Sequence, residues 1–160
     1  MLPFDQLAKA WEEYADRLLL IARSFGDSGE DAVQEAFLAL SRQPQLPDEP
    51  LAWMVKVARN QILQWNRSDQ RRSQRHVNRA VEAVWLEAHD VNESVDVAEV
   101  TAAIKQLPND LAEIVTMHLW GQLTFEQIAE VVGLSRSTAH RRYTDAIEIL
   151  RKRFSCRIES

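Results

Sequence analysis

Apolar residues recur every three or four positions along most of the chain, the spacing that gathers them on one face of an α-helix. Leu7, Trp11, Tyr14, Leu18, Ile21 and Phe25 form such a stripe and predict a helix from about Phe4 to Phe25. "GDSGED" interrupts it, with Gly26 and Gly29 as punctuation. Ser28 has the chemistry of an N-cap, with Asp31 three residues on, for a second helix to about Arg42 that turns Ala32, Val33, Ala36, Phe37 and Leu40 inward. "QPQLPDEP" carries three prolines in eight residues and predicts an extended loop over 43–50. A third helix starts near Leu51 and runs past Trp65, anchored by Trp53, Val57, Ile62 and Trp65. Residues 80–97 read as a polar, acidic linker with one helical piece around Trp85. A short helix follows over Val97–Gln106. Pro108 then punctuates, and Asn109 or Asp110 caps a helix to about Trp120 with Leu111, Ile114, Val115 and Leu119 inward. The pattern holds no internal repeat and no convincing strand.

"LTFEQIAEVVGLSRSTAHRRY", Leu123 to Tyr143, predicts two more helices. Thr124 and Gln127 have capping-box spacing, and Phe125, Ile128, Ala129 and Val132 share one face of the short helix that follows. Gly133 supplies a residue that turns the chain at positive φ without cost from a Cβ, and Leu134 plugs the space beneath. Ser135 caps the last helix, whose Ala139, Tyr143, Ala146, Ile147, Leu150 and Phe154 point inward. Arg136, Ser137, His140 and Arg141 then face outward near its start, with Thr138 at the edge and Arg142 beside them. Apolar period, cap, glycine turn and basic face together predict a helix-turn-helix. Its second helix would offer arginines to guanine edges and hydroxyls to phosphates in a major groove.

Composition narrows the class. The 160 residues are 46% hydrophobic and 27% charged, an ordinary globular balance with enough apolar residues for a core. No apolar run reaches the roughly 18 residues that span a bilayer, and "MLPFDQLAKAWEEYADR" reads as an amphipathic start rather than a signal peptide. Cys156 is the only cysteine, so no disulfide framework or thiolate cluster is available. A cytoplasmic protein is expected. His76, His89, His118 and His140 lack metal-ligand spacing, and His118 reads as a core or boundary histidine. No phosphate loop, nucleophile elbow or zinc-protease pairing occurs. Neither an enzyme, a metal nor a cofactor is expected.

The net charge of −5 conceals alternating blocks. Residues 59–79 hold six arginines and one acid, 80–100 hold six acids and no lysine or arginine, and 135–160 hold seven bases and three acids. A protein coating a polyanion would be basic throughout. This one could touch a polyanion at two separate places.

Three stretches in order carry a resemblance. "LLLIARSFGDSGEDAVQEAFLAL", "LAWMVKVARNQILQWNRSDQRR" and "LPNDLAEIVTMHLWGQLTFEQIAEVVGLSRSTAHRRYTDAIEILRKR" resemble bacterial RNA polymerase sigma factors of the extracytoplasmic-function subgroup. The resemblance implies an all-α chain of two small helical domains: a region-two-like bundle over 1–79 and a region-four-like helix-turn-helix domain over 98–160, joined by the acidic linker. It further implies that core RNA polymerase and promoter DNA are the partners. Arg59, Asn60, Gln64, Arg67, Arg71, Arg72 and Arg75 would meet the minus-ten element and its non-template single strand, with Asn60 at a position that helps hold a flipped base. Ser135, Arg136, Ser137, Thr138, His140, Arg141 and Arg142 would meet the minus-thirty-five duplex. Asp31, Gln34 and Glu35 would dock on the β′ clamp helices, and the second domain on the β flap. An anti-sigma factor is a further possible partner of such a chain. The recognition helix departs from the family where Ser137 replaces a common glycine and His140 a common lysine, which implies a different element.

Two rival readings stay open at this level. One is a self-sufficient helix-turn-helix repressor or activator on duplex DNA. The other is a polymerase-interacting protein that reads no DNA. The first basic block and Asn60 speak against the former, since a duplex-only regulator needs no single-strand site.

Overall fold

The structure, a computed structural model, describes residues 1–69 and 97–158. Seven helices follow one another in the described residues: α1 Phe4–Phe25, α2 Gly29–Ser41, α3 Pro50–Asp69, α4 Val97–Lys105, α5 Asn109–Leu119, α6 Phe125–Val132 and α7 Arg136–Ile158. The acidic linker up to residue 96, the helical piece expected around Trp85, and Arg71, Arg72 and Arg75 lie outside the described residues.

Helices α1 to α3 form the first module. Leu18 and Ile21 of α1, Ala32, Ala36 and Leu40 of α2, and Met54, Val55, Ala58 and Ile62 of α3 are almost completely buried together. The periodicity of α3 is thus satisfied by Met54, Val55 and Ala58, while Trp53, Val57 and Trp65 flank that face half-buried. Trp11, expected inward, is 51% exposed and only leans on Phe37, with ring centroids 4.7 Å apart. The bundle is too thin at this end to cover an indole. Ser28 stands at the N-cap position of α2, but its side chain makes no capping bond; its carbonyl accepts from Ala32 N–H instead.

Helices α4 to α7 form the second module. Ala103, Ile104 and Leu107 pack with Leu111, Ala112 and Val115 of α5 and with Ala146 and Leu150 of α7. Pro108, not Asn109 or Asp110, occupies the N-cap of α5, and no side chain caps that end. Leu119, expected inward, is 46% exposed, because the chain leaves the helix at Trp120 and opens that side to solvent. Thr116 is fully buried; its hydroxyl donates to the Ala112 carbonyl 2.7 Å away, so no polar group is stranded there.

Helix α5 is apolar on two sides, and the second side decides the architecture. Ile114 and Met117 do not join the second module's core. They merge, with Leu123, Ile128, Ala129 and Val131, into the same continuous cluster as Leu18, Ile21 and Ile62 of the first module. The modules therefore pack directly on each other, α5 against α1 and α6 against α3. Side chains such as Met117 and Ile128, both 0% exposed, are each worth about 1.5–3 kcal/mol when buried. The turn after α5 fits closely here. A Cβ at Gly121 would lie 2.6 Å from Ile21 Cδ1 and 2.6 Å from the Met117 carbonyl oxygen.

Candidate nucleic-acid interface

The α6–α7 pair is built by local chemistry. Thr124 Oγ1 accepts from Gln127 N–H at 3.2 Å, and Gln127 Oε1 accepts from Thr124 N–H at 2.9 Å, closing a capping box at the start of α6. Gly133 ends α6 in the left-handed region at φ 75°, and the N–H groups of Gly133 and Leu134 both donate to the Ala129 carbonyl at 2.9 Å. Leu134 packs half-buried beneath the turn. Ser135 Oγ accepts from Thr138 N–H at 3.2 Å and so caps α7. Its hydroxyl also bonds Thr138 Oγ1 at 2.8 Å and lies 3.3 Å from Ser137 Oγ.

An aromatic cluster holds the crossing angle of these helices, and the sequence pattern did not announce it. Phe125 stacks on His118 with ring centroids 4.5 Å apart, and both lie against Tyr143. The His118 Nδ1–H donates to the Leu123 carbonyl at 3.0 Å, which fixes the ring as a boundary strut. His140 meets Phe125 edge-on at 5.0 Å and stays exposed.

The outward face of α7 carries Arg136, Ser137, His140 and Arg141 exposed, with Thr138 half-buried. Arg136 lies 3.7 Å from Glu126, but both side chains are more than two-thirds exposed, so this pair holds little energy and yields readily to another anion. Arg142 turns back to Asp110 at 3.2 Å and ties α7 to the start of α5. The positive end of the α7 helix dipole adds to the pull on phosphate here.

In the first module Asn60, Gln64 and Arg67 stand exposed along α3. Arg59 does not. Its Nε donates to Glu113 Oε2 of α5 at 3.3 Å, with side-chain exposures of only 18% and 14%. Burial pushes the Glu113 carboxyl above its usual range, a rise only partly opposed by the Arg59 charge and hydrogen bond. Lys56 reaches Glu130 of α6 at 3.5 Å across the same seam. Sequence reading missed Glu113, whose partner lies 54 residues away. Asp31, Gln34 and Glu35 are exposed on one face of α2, at the three- and four-residue spacing that aligns side chains. Among the described residues no cluster of acids, histidines or cysteines could hold a metal ion, and no helix is long and apolar enough to cross a membrane.

Comparison with known proteins places these two surfaces in context. Residues 10–72 match the family description "Sigma-70 region 2", and residues 98–150 match "Sigma-70, region 4". No curated protein matches the chain in sequence. Among solved structures, the sigma factor RpoE of Bartonella quintana, determined in complex with the anti-sigma factor NepR, superposes with a TM-score of 0.69 at 20% identity. That match covers 92% of this chain and 95% of the other. CnrH, determined in complex with the cytosolic domain of CnrY, superposes with a TM-score of 0.61 at 22% identity, over 94% of this chain and 88% of the other. At these identities the likeness speaks for the fold: an all-α arrangement of the region-two and region-four kind.

Proposed function

The chain belongs to the sigma-70 family of transcription initiation factors, matched in both region 2 and region 4, and from that premise we propose a division of labour among its surfaces. As a sigma factor it joins core RNA polymerase and directs promoter-specific initiation, and it is not an enzyme. We place it in the extracytoplasmic-function subgroup, because regions 2 and 4 are the matched parts and the fold follows RpoE and CnrH along nearly its whole length.

In this reading the first turns of α7 enter the major groove at the minus-thirty-five element. Arg136 and Arg141 read or grip from the exposed face, while Ser135, Ser137, Thr138 and His140 supply hydroxyl and imidazole contacts. Arg142 supports them through Asp110. Helix α3 meets the minus-ten element: Asn60 and Gln64 face the non-template strand, and Arg59 and Arg67, continued by Arg71, Arg72 and Arg75, neutralise phosphates. Asp31, Gln34 and Glu35 form the acidic face for the β′ clamp helices, since such a face attracts a basic protein surface and repels DNA. The second module meets the β flap. The protein works in the cytoplasm, where the polymerase is. RpoE is seen with the anti-sigma factor NepR and CnrH with the cytosolic domain of CnrY, and an anti-sigma partner is proposed here too.

The observation that carries this reading is the exposed basic start of α7, held by the capping box, the left-handed Gly133 and the Ser135 cap. In vitro transcription tests it. Purified chain added to core polymerase and host genomic fragments should produce new specific transcripts. Arg141→Ala should then cost about 1–3 kcal/mol of promoter affinity with altered base preference. If all minus-thirty-five variants respond equally to Arg141→Ala, this arginine does not read.

A further inference from the structure

Two histidines bracket one phenylalanine where α6 crosses the start of α7. Phe125 stacks on His118 with ring centroids 4.5 Å apart, and it meets His140 edge-on at 5.0 Å. His118 is pinned by its bond to the Leu123 carbonyl, and Tyr143 completes the cluster, 4.7 Å from His118 and 5.3 Å from Phe125. His140 is the exposed end of this row. Ring packing holds its imidazole, and among the described residues nothing hydrogen-bonds the ring nitrogens. They are left for a ligand on the face that carries Arg136, Ser137 and Arg141.

The surrounding charges decide what that ligand does to the ring. On α7, Arg136 lies one turn before His140, Arg141 lies next to it, and Asp145 is the first acid beyond. Arg142 is turned to Asp110 of α5. On α6, Glu126 is 3.7 Å from Arg136. The other acids of α5 and α6, Glu113 and Glu130, are engaged with Arg59 and Lys56 of the first module. His118 and Tyr143 are the remaining titratable rings of the cluster. Among the described residues, then, no carboxylate pairs with this imidazole. A DNA phosphate would supply the missing anion, and an opposite charge within about 4–6 Å favours the charged form of a titratable group. Histidine is the side chain type whose charge changes between about pH 5 and 8.

We propose that His140 meets promoter DNA as imidazolium, so that binding of the minus-thirty-five duplex takes up a proton at this residue. Charged, the ring carries two N–H donors and no acceptor. It fits a phosphate oxygen or the guanine acceptors N7 and O6, and it rejects the exocyclic amino groups of adenine and cytosine. The sign follows: the charged form is favoured in the complex, so affinity is full on the acid side of the histidine range and falls as pH rises through it. This inference rests on the assignment of α7 to the minus-thirty-five element made above.

Fluorescence anisotropy tests it with the chain bound to core polymerase and a labelled promoter duplex recovered in the transcription experiment, from about pH 6 to about pH 8. His140→Lys carries a fixed charge and His140→Gln carries none, and both leave His118 in place. His140 is exposed, so both should fold, which circular dichroism checks. Affinities are read relative to His140→Lys at each pH, which cancels the polymerase's own pH dependence. On that scale wild type should lose about tenfold from the acid to the alkaline end, the size of one charge-assisted contact, and there approach His140→Gln. Its slope of log affinity against log salt should be steeper by about one at the acid end, and neither variant should show this change. A wild-type profile parallel to that of His140→Lys overturns the inference. So does the wild-type pH dependence persisting in His140→Gln, which would move the proton to His118 or another group. If Arg141→Ala and His140→Gln both leave affinity unchanged at every pH, the assignment of α7 fails and the inference fails with it. If Arg141→Ala weakens binding while wild type runs parallel to His140→Lys, only the proton uptake fails.

Discussion

Replacing Gly133 by alanine isolates a single energetic cause. The residue lies at φ 75°, ψ 35°, and a Cβ added there meets no atom within 4 Å. No clash is introduced and no hydrogen bond is removed, because the Gly133 and Leu134 N–H groups that bond Ala129 O persist in alanine. What remains is the left-handed backbone, which costs an L-residue about 1–2 kcal/mol. Alanine also narrows the unfolded ensemble, which returns about 0.4–1 kcal/mol. The net loss is about 1 kcal/mol, or roughly 2–4 °C in Tm for a chain of this size. Asparagine tolerates this region better than alanine, so Gly133→Asn should lose about half as much. Gly121→Ala provides the contrast, since there the Cβ would collide with Ile21 Cδ1 and the Met117 carbonyl at 2.6 Å, and the cost should be about 1–3 kcal/mol from overpacking. Urea unfolding of the three variants, read by far-ultraviolet circular dichroism, gives the comparison. Equal losses for Gly133→Ala and Gly133→Asn would refute the backbone argument, and so would a Gly133→Ala loss as large as that of a core cavity.

Two further outcomes follow from named contacts. Ser135→Ala removes the oxygen that accepts from Thr138 N–H and should lower stability by about 1 kcal/mol, with a parallel loss of minus-thirty-five binding as the first turn of α7 frays; equal stability of the two proteins in urea titration would contradict it. For Glu113, the folded pKa is raised above the ordinary 4.5, so the native state holds extra proton in the interval just above that pH. Stability from this group is fully present below 4.5 and is lost as pH rises through the raised value. Urea midpoints measured across that interval should therefore fall more steeply with pH in wild type than in Glu113→Gln, and identical slopes would count against the burial of this carboxyl.

The helix-turn-helix was legible in the sequence because its determinants are neighbours. Thr124 and Gln127 are three residues apart, Gly133 must accommodate one backbone angle, and Ser135 reaches only to Thr138. The seven described helices were legible for the same reason, since a period of three to four residues is a local signal. Where that signal went astray, exposure was at stake rather than conformation. Trp11 and Leu119 keep the helical spacing but sit where the bundle offers no neighbour to cover them. Side-chain caps failed at Ser28, Asn109 and Asp110, whose helices begin without them.

The sequence by itself determined the seven described helices, two basic blocks and an acidic face on α2, all of them properties of residues within a few positions of each other. Only the tertiary structure decided that Ile114 and Met117 belong to the first module's interior. Only it set Gly121 against Ile21 and brought Glu113 onto Arg59. An apolar periodicity tells a helix which of its faces to bury, but carries no address for the surface that will bury it. That choice is made by shape and charge matching between segments dozens of residues apart, once loop closure has brought them within reach.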